Sequence, residues 1–243
     1  MNISGSGSIA AGEYNESIKV SGSGKINGNV RCISLSCSGT VKAAGAVECN
    51  EKVGVSGYCH IENDLNAQNV SASGSIKVGG NISARESVKI SGSLNCGGSI
   101  KGAIISCGGS VVVGGEMAAE EIRISGRINC EGLMNAEKID IDLGGAGSTS
   151  KVGAIGGSEI RIYNSRVGSG KRLPWLNKLL ADKDNLCVNE LIEGDVVAIE
   201  HVIVPKVVGR IVAVGDGCEI DLIQYSEEIE IHPKAKVEKY EKI

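Results

Sequence analysis

Residues 72–82, ASGSIKVGGNI, and residues 90–100, ISGSLNCGGSI, share a pattern that recurs along most of the chain. Most of the repeats place a serine and then a glycine after an apolar or small residue. These glycines occupy positions 5, 22, 39, 57, 74, 92, 109 and 126. Self-similarity at a short fixed period, here about 17 residues, is the signature of a solenoid, in which each repeat is one layer of a stack.

A second column of small residues follows the first at the same rhythm. Its only non-glycine member is Asn63, and asparagine is the other residue that tolerates left-handed backbone angles. The pattern therefore predicts a corner with positive φ in every repeat, so Gly80→Asn should be tolerated better than Gly80→Val. The members of the column are Gly28, Gly45, Asn63, Gly80, Gly98, Gly115 and Gly132.

Between the corners, apolar and polar residues alternate, which is typical of strands with one buried face. Pairs such as Ile76/Val78 and Leu94/Cys96 recur in register from one repeat to the next. Three short strands and three corners make a triangular coil, and stacked coils align like side chains in columns. The sequence thus predicts an all-β fold, a right-handed parallel β-helix with coils of about 17 residues.

The rhythm divides the chain into three parts. Residues 1–163 are predicted to form a glycine-rich β-helix, and residues 189–243 to form further coils richer in valine and isoleucine. In the second of these, Val197, Val214 and Ile231 are spaced by the same period, as are Ile203, Ile220 and Val237.

Residues 164–188 depart from the β pattern and are predicted to form a linker with a short inserted amphipathic α-helix. Pro174 suits a helix start, and Trp175, Leu176, Leu179 and Leu180 fall on one face at helical spacing. Two interpretations of that face stay open: packing against the solenoid, or docking of a partner or second subunit.

Composition restricts the function. With 35 glycines, one tryptophan and no phenylalanine, the core must be narrow and filled by Val, Ile, Leu, Ala and Cys. The net charge is −4 without a basic stripe carrying interleaved aromatics, so no nucleic-acid partner is expected. No apolar run reaches the ~20 residues of a membrane span, and no secretory leader is recognisable, so a cytoplasmic protein without a transmembrane segment is expected. The nine cysteines contain no C-x-x-C pair and are expected to be reduced thiols, most of them in the core.

No sequence motif predicts chemistry. Gly168-Ser169-Gly170-Lys171 resembles a phosphate loop only in part, because Ser165 and Arg172 occupy places that the motif reserves for glycine and for serine or threonine. The coils lack the strict six-residue rhythm of hexapeptide acyltransferases and the clustered carboxylates of pectate-lyase-like enzymes. We therefore expect no enzyme activity, and no catalytic, cofactor-binding or metal-binding residues.

The repeated V/I-S-G-S/T pattern with a second glycine, as in Ile90-Ser91-Gly92-Ser93 through Ile100, resembles the bactofilins, the polymer-forming cytoskeletal proteins of bacteria. The resemblance covers residues 3–142. Residues 192–195 and 215–220 are similar to longer bactofilin-related proteins of Gram-positive bacteria. The resemblance implies a β-helix that polymerises end to end without nucleotide, as a scaffold for cell-envelope or morphogenesis proteins.

Three functional hypotheses follow, and the third, an enzyme built on a β-helix, is the least favoured. In the first, the chain is a structural scaffold that associates with itself, end to end or laterally. In the second, it is a non-polymerising partner-binding module, comparable to the β-helical domain of the division inhibitor MinC. The end coils decide between the first two. The first coil has Glu13 and Asn15 where later coils have apolar pairs, and the charged residues 238–242 could blunt the other end.

Overall fold

Alternation of apolar and polar residues produces strands with one buried and one exposed face, and parallel stacking buries the apolar faces together. In the computed structural model, which describes residues 1–145, 147, 149–165 and 185–243, parallel strands account for most of the chain. Residue contacts divide it into an N-terminal unit, Met1–Glu116, and a C-terminal unit, Met117–Ile243. Each unit is built of parallel β-helical coils, as the sequence predicts for a right-handed parallel β-helix.

The N-terminal unit is a succession of short strands joined by tight corners. They are β1 (Asn2–Ile3), β2 (Ser6–Glu13), β3 (Ile18–Val20), β4 (Ser23–Cys32), β5 (Leu35–Cys37), β6 (Thr40–Ala43), β7 (Val47–Cys49), β8 (Lys52–Val55), β9 (Tyr58–Ile61), β10 (Leu65–Ala72), β11 (Ser75–Val78), β12 (Ile82–Ile90), β13 (Ser93–Cys96), β14 (Ile100–Lys101), β15 (Ile104–Cys107) and β16 (Ser110–Val113).

Each strand of this unit pairs in parallel with its counterpart in the neighbouring coil. Ile18 thus faces Leu35, and Leu35 faces Val53. The side chains of this column are fully buried, and they run Ile18, Leu35, Val53, Val70, Val88 and Ile105. The inward pairs predicted from the alternation, among them Ile76/Val78 and Leu94/Cys96, are confirmed as core residues.

The positive-φ prediction for the second glycine column is wrong. Of its members, Gly28 alone has a positive φ, of 132°, among the described residues. Gly80 is needed for another reason: a Cβ there would overlap the Asp64 carboxylate and lie 3.1 Å from the carbonyl carbon of Asn63. Close approach between coils, not backbone handedness, therefore selects glycine at this position.

Beside these glycines, polar side chains of successive coils accept hydrogen bonds from backbone N–H groups, and we call this set the column of polar caps. Asp64 Oδ1 accepts the backbone N–H of Asn81 at 2.7 Å, and Asn81 Oδ1 accepts that of Ser99 at 2.9 Å. Ser99 Oγ accepts the N–H of Glu116 at 3.0 Å, and Asn29 Oδ1 that of Ala46 at 2.9 Å. Side chains of one coil therefore satisfy backbone donors of the following coil at a corner where the strands end.

Because close approach of Asp64 is the reason for glycine at position 80, substitutions there should act through steric overlap. Because the overlap starts at Cβ, which Asn and Val share, we expect Gly80→Asn and Gly80→Val to destabilise the N-terminal unit by similar amounts, about 1–3 kcal/mol. Urea unfolding followed by circular dichroism measures both. Asp64→Ala combined with Gly80→Asn is the control, and it should recover part of the loss. A clear advantage of Asn over Val would restore the positive-φ explanation.

The C-terminal unit has longer strands. They are β17 (Met117–Ile124), β18 (Arg127–Asp142), β19 (Ser150–Tyr163), β20 (Leu186–Val188), β21 (Leu191–Ile199), β22 (Val202–Val214), β23 (Glu219–Ile231) and β24 (Lys236–Lys242), with a short 3-10 helix at Leu143–Gly145.

Two of the coils in this unit contain additional residues between the paired strands. Ile139 faces Ile160, so the coil between them is longer than the coils of the N-terminal unit and accommodates the 3-10 helix. Ile160 in turn faces Val197, so β19 pairs directly with strands that follow the 164–188 segment. The predicted helix with Trp175, Leu176, Leu179 and Leu180 lies outside the described residues, as does the Gly168–Lys171 loop.

The register predicted for the last coils is wrong in its first step. Val197 faces Val212 rather than Val214, so this coil is shorter than the period predicts. Val204 faces Ile220 and is buried, whereas Ile203 points outward and is 38% exposed. The later steps, from Val212 to Ile229 and from Ile220 to Val237, have the predicted length. Consecutive valines and isoleucines leave the sequence without an alternation that could have set the register.

Candidate interaction surfaces

No group of residues with the composition of a metal site occurs among the described residues. The cavities are open grooves on the faces of the coils. One lies on the C-terminal unit, has a volume of about 400 Å³, and has a floor of small residues, Ala198, Ala213 and Gly215. Arg161 borders it and lies 5.0 Å from the ring centroid of Tyr163. Burial raises the pKa of Tyr163, and the neighbouring Asp140 raises it further.

The cysteines lie where the inward pattern predicts. Eight of the nine are buried, and Cys187 is half-buried on an outward position between Lys151 and Ile203. Burial raises the pKa of Cys59 and of Cys107 to about 12, and that of Cys218 to about 11. The Sγ atoms of the stacked residues Cys32 and Cys49 are 3.4 Å apart.

A hydrogen bond links the two stacked thiols. The contact favours ionisation of one thiol of the pair and raises the pKa of the other, and either sulfur can be the donor; burial also raises the pKa of Cys49. Both thiols are almost completely buried, so they act as small apolar core residues.

The N-terminal end of the N-terminal unit is partly covered by side chains of its own first coil. Inward positions of the first coil are small: Gly7 stands in the column of Gly24 and Val41. The side chain of Ile3 lies over Gly7, since a Cβ added at Gly7 would be 3.3 Å from Ile3 Cγ2. Ile9 is buried even though it belongs to the terminal coil.

Polar contacts also hold the first residues in place at this end. The terminal ammonium pairs with Glu16 and donates to the Ser17 carbonyl at 2.8 Å, and the Tyr14 hydroxyl donates to the Ala10 carbonyl at 2.9 Å. The sequence places Glu13 in an inward column, and this is wrong. Glu13 faces Arg31 on the outer surface and forms an ion pair with it at 3.2 Å.

At the C-terminal end of the C-terminal unit, apolar residues lie in the inward columns. Four residues occupy these columns, and no later coil among the described residues covers them. Ile229, Ile231 and Val237 are partly exposed, and Tyr240 is 58% exposed. The outer edge of β24 has no strand partner among the described residues. Lysine and glutamate flank the two apolar residues of β24, as the sequence suggests for a blunted edge.

One face of the N-terminal unit carries three lysines and a histidine, with no carboxylate between them in register. Register places Lys25, Lys42, His60 and Lys77 side by side on successive strands, and we call this set the lysine row. Two residues earlier in each strand runs a hydroxyl row: Ser6, Ser23, Thr40, Tyr58, Ser75, Ser93 and Ser110.

The lysine row cannot be recognised in the linear sequence, because its members are a full coil apart. The signal that could have found it is the period itself, applied to outward rather than inward positions. A carboxylate, Glu62, lies two residues beyond His60 at the border of the row. Glu13 and Glu48 lie on a different face, where Arg31 bridges them.

Comparison with known proteins adds no relative: no protein-family model, curated sequence or solved structure matches the chain. Among the described residues, no helix has the length and apolar character needed to cross a bilayer.

Proposed function

We propose that this chain is a cytoplasmic structural protein resembling the bactofilins, which associates with copies of itself through its β-helix ends and serves as a scaffold in cell-envelope or shape organisation. The observation that carries the proposal is the apolar end formed by Ile229, Ile231, Val237 and Tyr240. Covering such an end removes apolar surface from water and pairs a free strand edge.

The two ends are not equivalent, and this asymmetry determines how association proceeds. Ile3 and Tyr14 partly cover the N-terminal end, whereas Ile229, Ile231, Val237 and Tyr240 present apolar side chains at the C-terminal end, so the C-terminal end gains more from being covered. Contact between two C-terminal ends closes as a dimer, whereas contact between unlike ends repeats without limit and makes a filament. Both arrangements need the same apolar residues.

Self-association should therefore depend on the C-terminal end. We expect the weight-average mass of the wild-type protein to rise with concentration in sedimentation velocity and light scattering. Ile231→Asp combined with Val237→Asp should keep the protein monomeric, because charges at the end oppose its burial. Electron microscopy of the wild type distinguishes filaments from dimers.

The matched control is Ile203→Asp combined with Leu133→Asp, which places the same two charges on exposed apolar residues away from the end in the same unit. This variant should associate like the wild type. Thermal unfolding checks that all variants stay folded. A wild-type protein that remains monomeric up to high concentration would overturn the proposal, as would equal loss of association in the control.

The groove of the C-terminal unit favours the second candidate, a MinC-like module that binds a partner without polymerising. Arg161 borders it, and Glu230 lines it three register steps away. Neither forms an ion pair with a described residue. This alternative would be supported if the wild-type protein stays monomeric and binds a partner, and if the Arg161→Glu variant does not bind that partner.

A further inference from the structure

The positive charges of the lysine row are not balanced by neighbouring carboxylates in the part of the chain that the structure describes. Lys25, Lys42 and Lys77 are exposed, and none of them forms an ion pair with any residue of the described ranges. Lys25 and Lys42 are direct register partners on neighbouring parallel strands. Like charges in that position repel each other, so the free protein gains nothing from the arrangement. An anion bound along the row would remove this repulsion.

The geometry of the row suits an extended ligand. Neighbouring strands are ~4.8 Å apart, so the row from Lys25 to Lys77 covers about 14 Å in three steps. The strands hold the side chains in line, with the hydroxyl row parallel to them. Across the serine corner, Lys19 and Lys89 add two more exposed cations on the adjacent face.

The neighbours of the row indicate the chemical class of the ligand. Serine and threonine hydroxyls both donate and accept hydrogen bonds, which suits sugar hydroxyls. Tyr58, 36% exposed in the hydroxyl row, adds an aromatic side chain that could stack on a sugar. Single-stranded nucleic acids need several aromatic side chains and a groove, and an anionic membrane surface would attract the lysines but would make no use of the hydroxyl row. In these two rows Tyr58 is the only aromatic residue.

We propose that the lysine row and the hydroxyl row together bind an anionic polysaccharide, extended from coil to coil along this face of the N-terminal unit. The lysines contact its carboxylate, sulfate or phosphate groups, and the hydroxyls contact its sugar hydroxyls. The site is independent of the β-helix ends, so it does not rest on self-association.

Heparin serves as the sulfated probe and neutral dextran as its uncharged counterpart. We expect the wild-type protein to bind heparin and not dextran, with an affinity that falls as salt rises. Lys25→Gln, Lys42→Gln and Lys77→Gln together should weaken heparin binding about tenfold or more. The control carries the same charge change elsewhere, as Lys101→Gln, Lys151→Gln and Lys206→Gln, and should bind heparin nearly as the wild type does.

A second variant tests for sugar recognition. Tyr58→Ala should weaken binding of heparin but leave binding of inorganic polyphosphate, which has no sugar, unchanged. Equal weakening by the two lysine triple variants would overturn the proposal, because binding would then follow net charge alone. It would also be overturned if single-stranded DNA or anionic vesicles of phosphatidylglycerol bound to the row more tightly than heparin. Circular dichroism confirms that each variant is folded.

Discussion

Gly74→Ala is expected to lower the free energy of unfolding by about 3 kcal/mol or more, among the largest effects of any single methyl group added to this chain. A Cβ at Gly74 would overlap the carbonyl oxygen of Gly57 and lie 2.6 Å from the carbonyl carbon of Ser56. That same Gly57 oxygen accepts the N–H of Ser75 at 2.9 Å. The methyl group can therefore fit only if the two coils separate and this hydrogen bond is lost.

Gly54→Ala is the matched control for this prediction. Gly54 lies on the same unit, and the nearest atom to an added Cβ is Ser71 Oγ at 3.8 Å. We expect a change within about 0.5 kcal/mol. Urea unfolding followed by circular dichroism compares both variants with the wild type. Equal midpoints for Gly74→Ala and Gly54→Ala would show that close approach at the serine-glycine corner is not required.

The cysteines of the folded protein should differ widely in their rate of reaction with a thiol reagent. At pH 8 we expect Cys187 to react with DTNB quickly and the buried cysteines to react slower by about three orders of magnitude. Two causes act together on residues such as Cys59 and Cys107: burial denies access, and a pKa near 12 leaves about one thiol in ten thousand ionised at that pH. Denaturation should release all nine thiols for reaction.

Cys187→Ser identifies the fast thiol. This variant should show no rapid reaction while folded, and eight reactive thiols after denaturation. Its outward position means that the exchange of sulfur for oxygen should leave stability nearly unchanged. A fast thiol that persists in Cys187→Ser would contradict the inward placement of the remaining cysteines.

Local alternation was sufficient to predict the core of the N-terminal unit. Residues such as Ile76, Val78 and Leu94 alternate with polar neighbours, so their inward direction follows from a strand's period of two. The same reasoning failed at Ile203 and Val204, where adjacent β-branched residues fit either face equally well. There the register depends on the length of the preceding corner, which the composition does not encode.

Two features could be explained only from the register between coils: why glycine is required at position 80, and where the lysine row lies. Gly80 has an ordinary backbone angle, and only the presence of Asp64 from the preceding coil explains why a side chain is excluded. Lys25 and Lys42 are unremarkable as isolated exposed residues. They form a charged surface only because the strands that carry them are neighbours.

The column of polar caps has a direction, and that direction coincides with the order of synthesis. Asp64 accepts from the later residue Asn81, and Asn81 accepts from the still later Ser99. A chain emerging from the ribosome thus completes each acceptor before the segment that will donate to it has been made. Each finished turn is a template for the one that follows, so growth of this unit from its first residues never waits for a distant part of the chain.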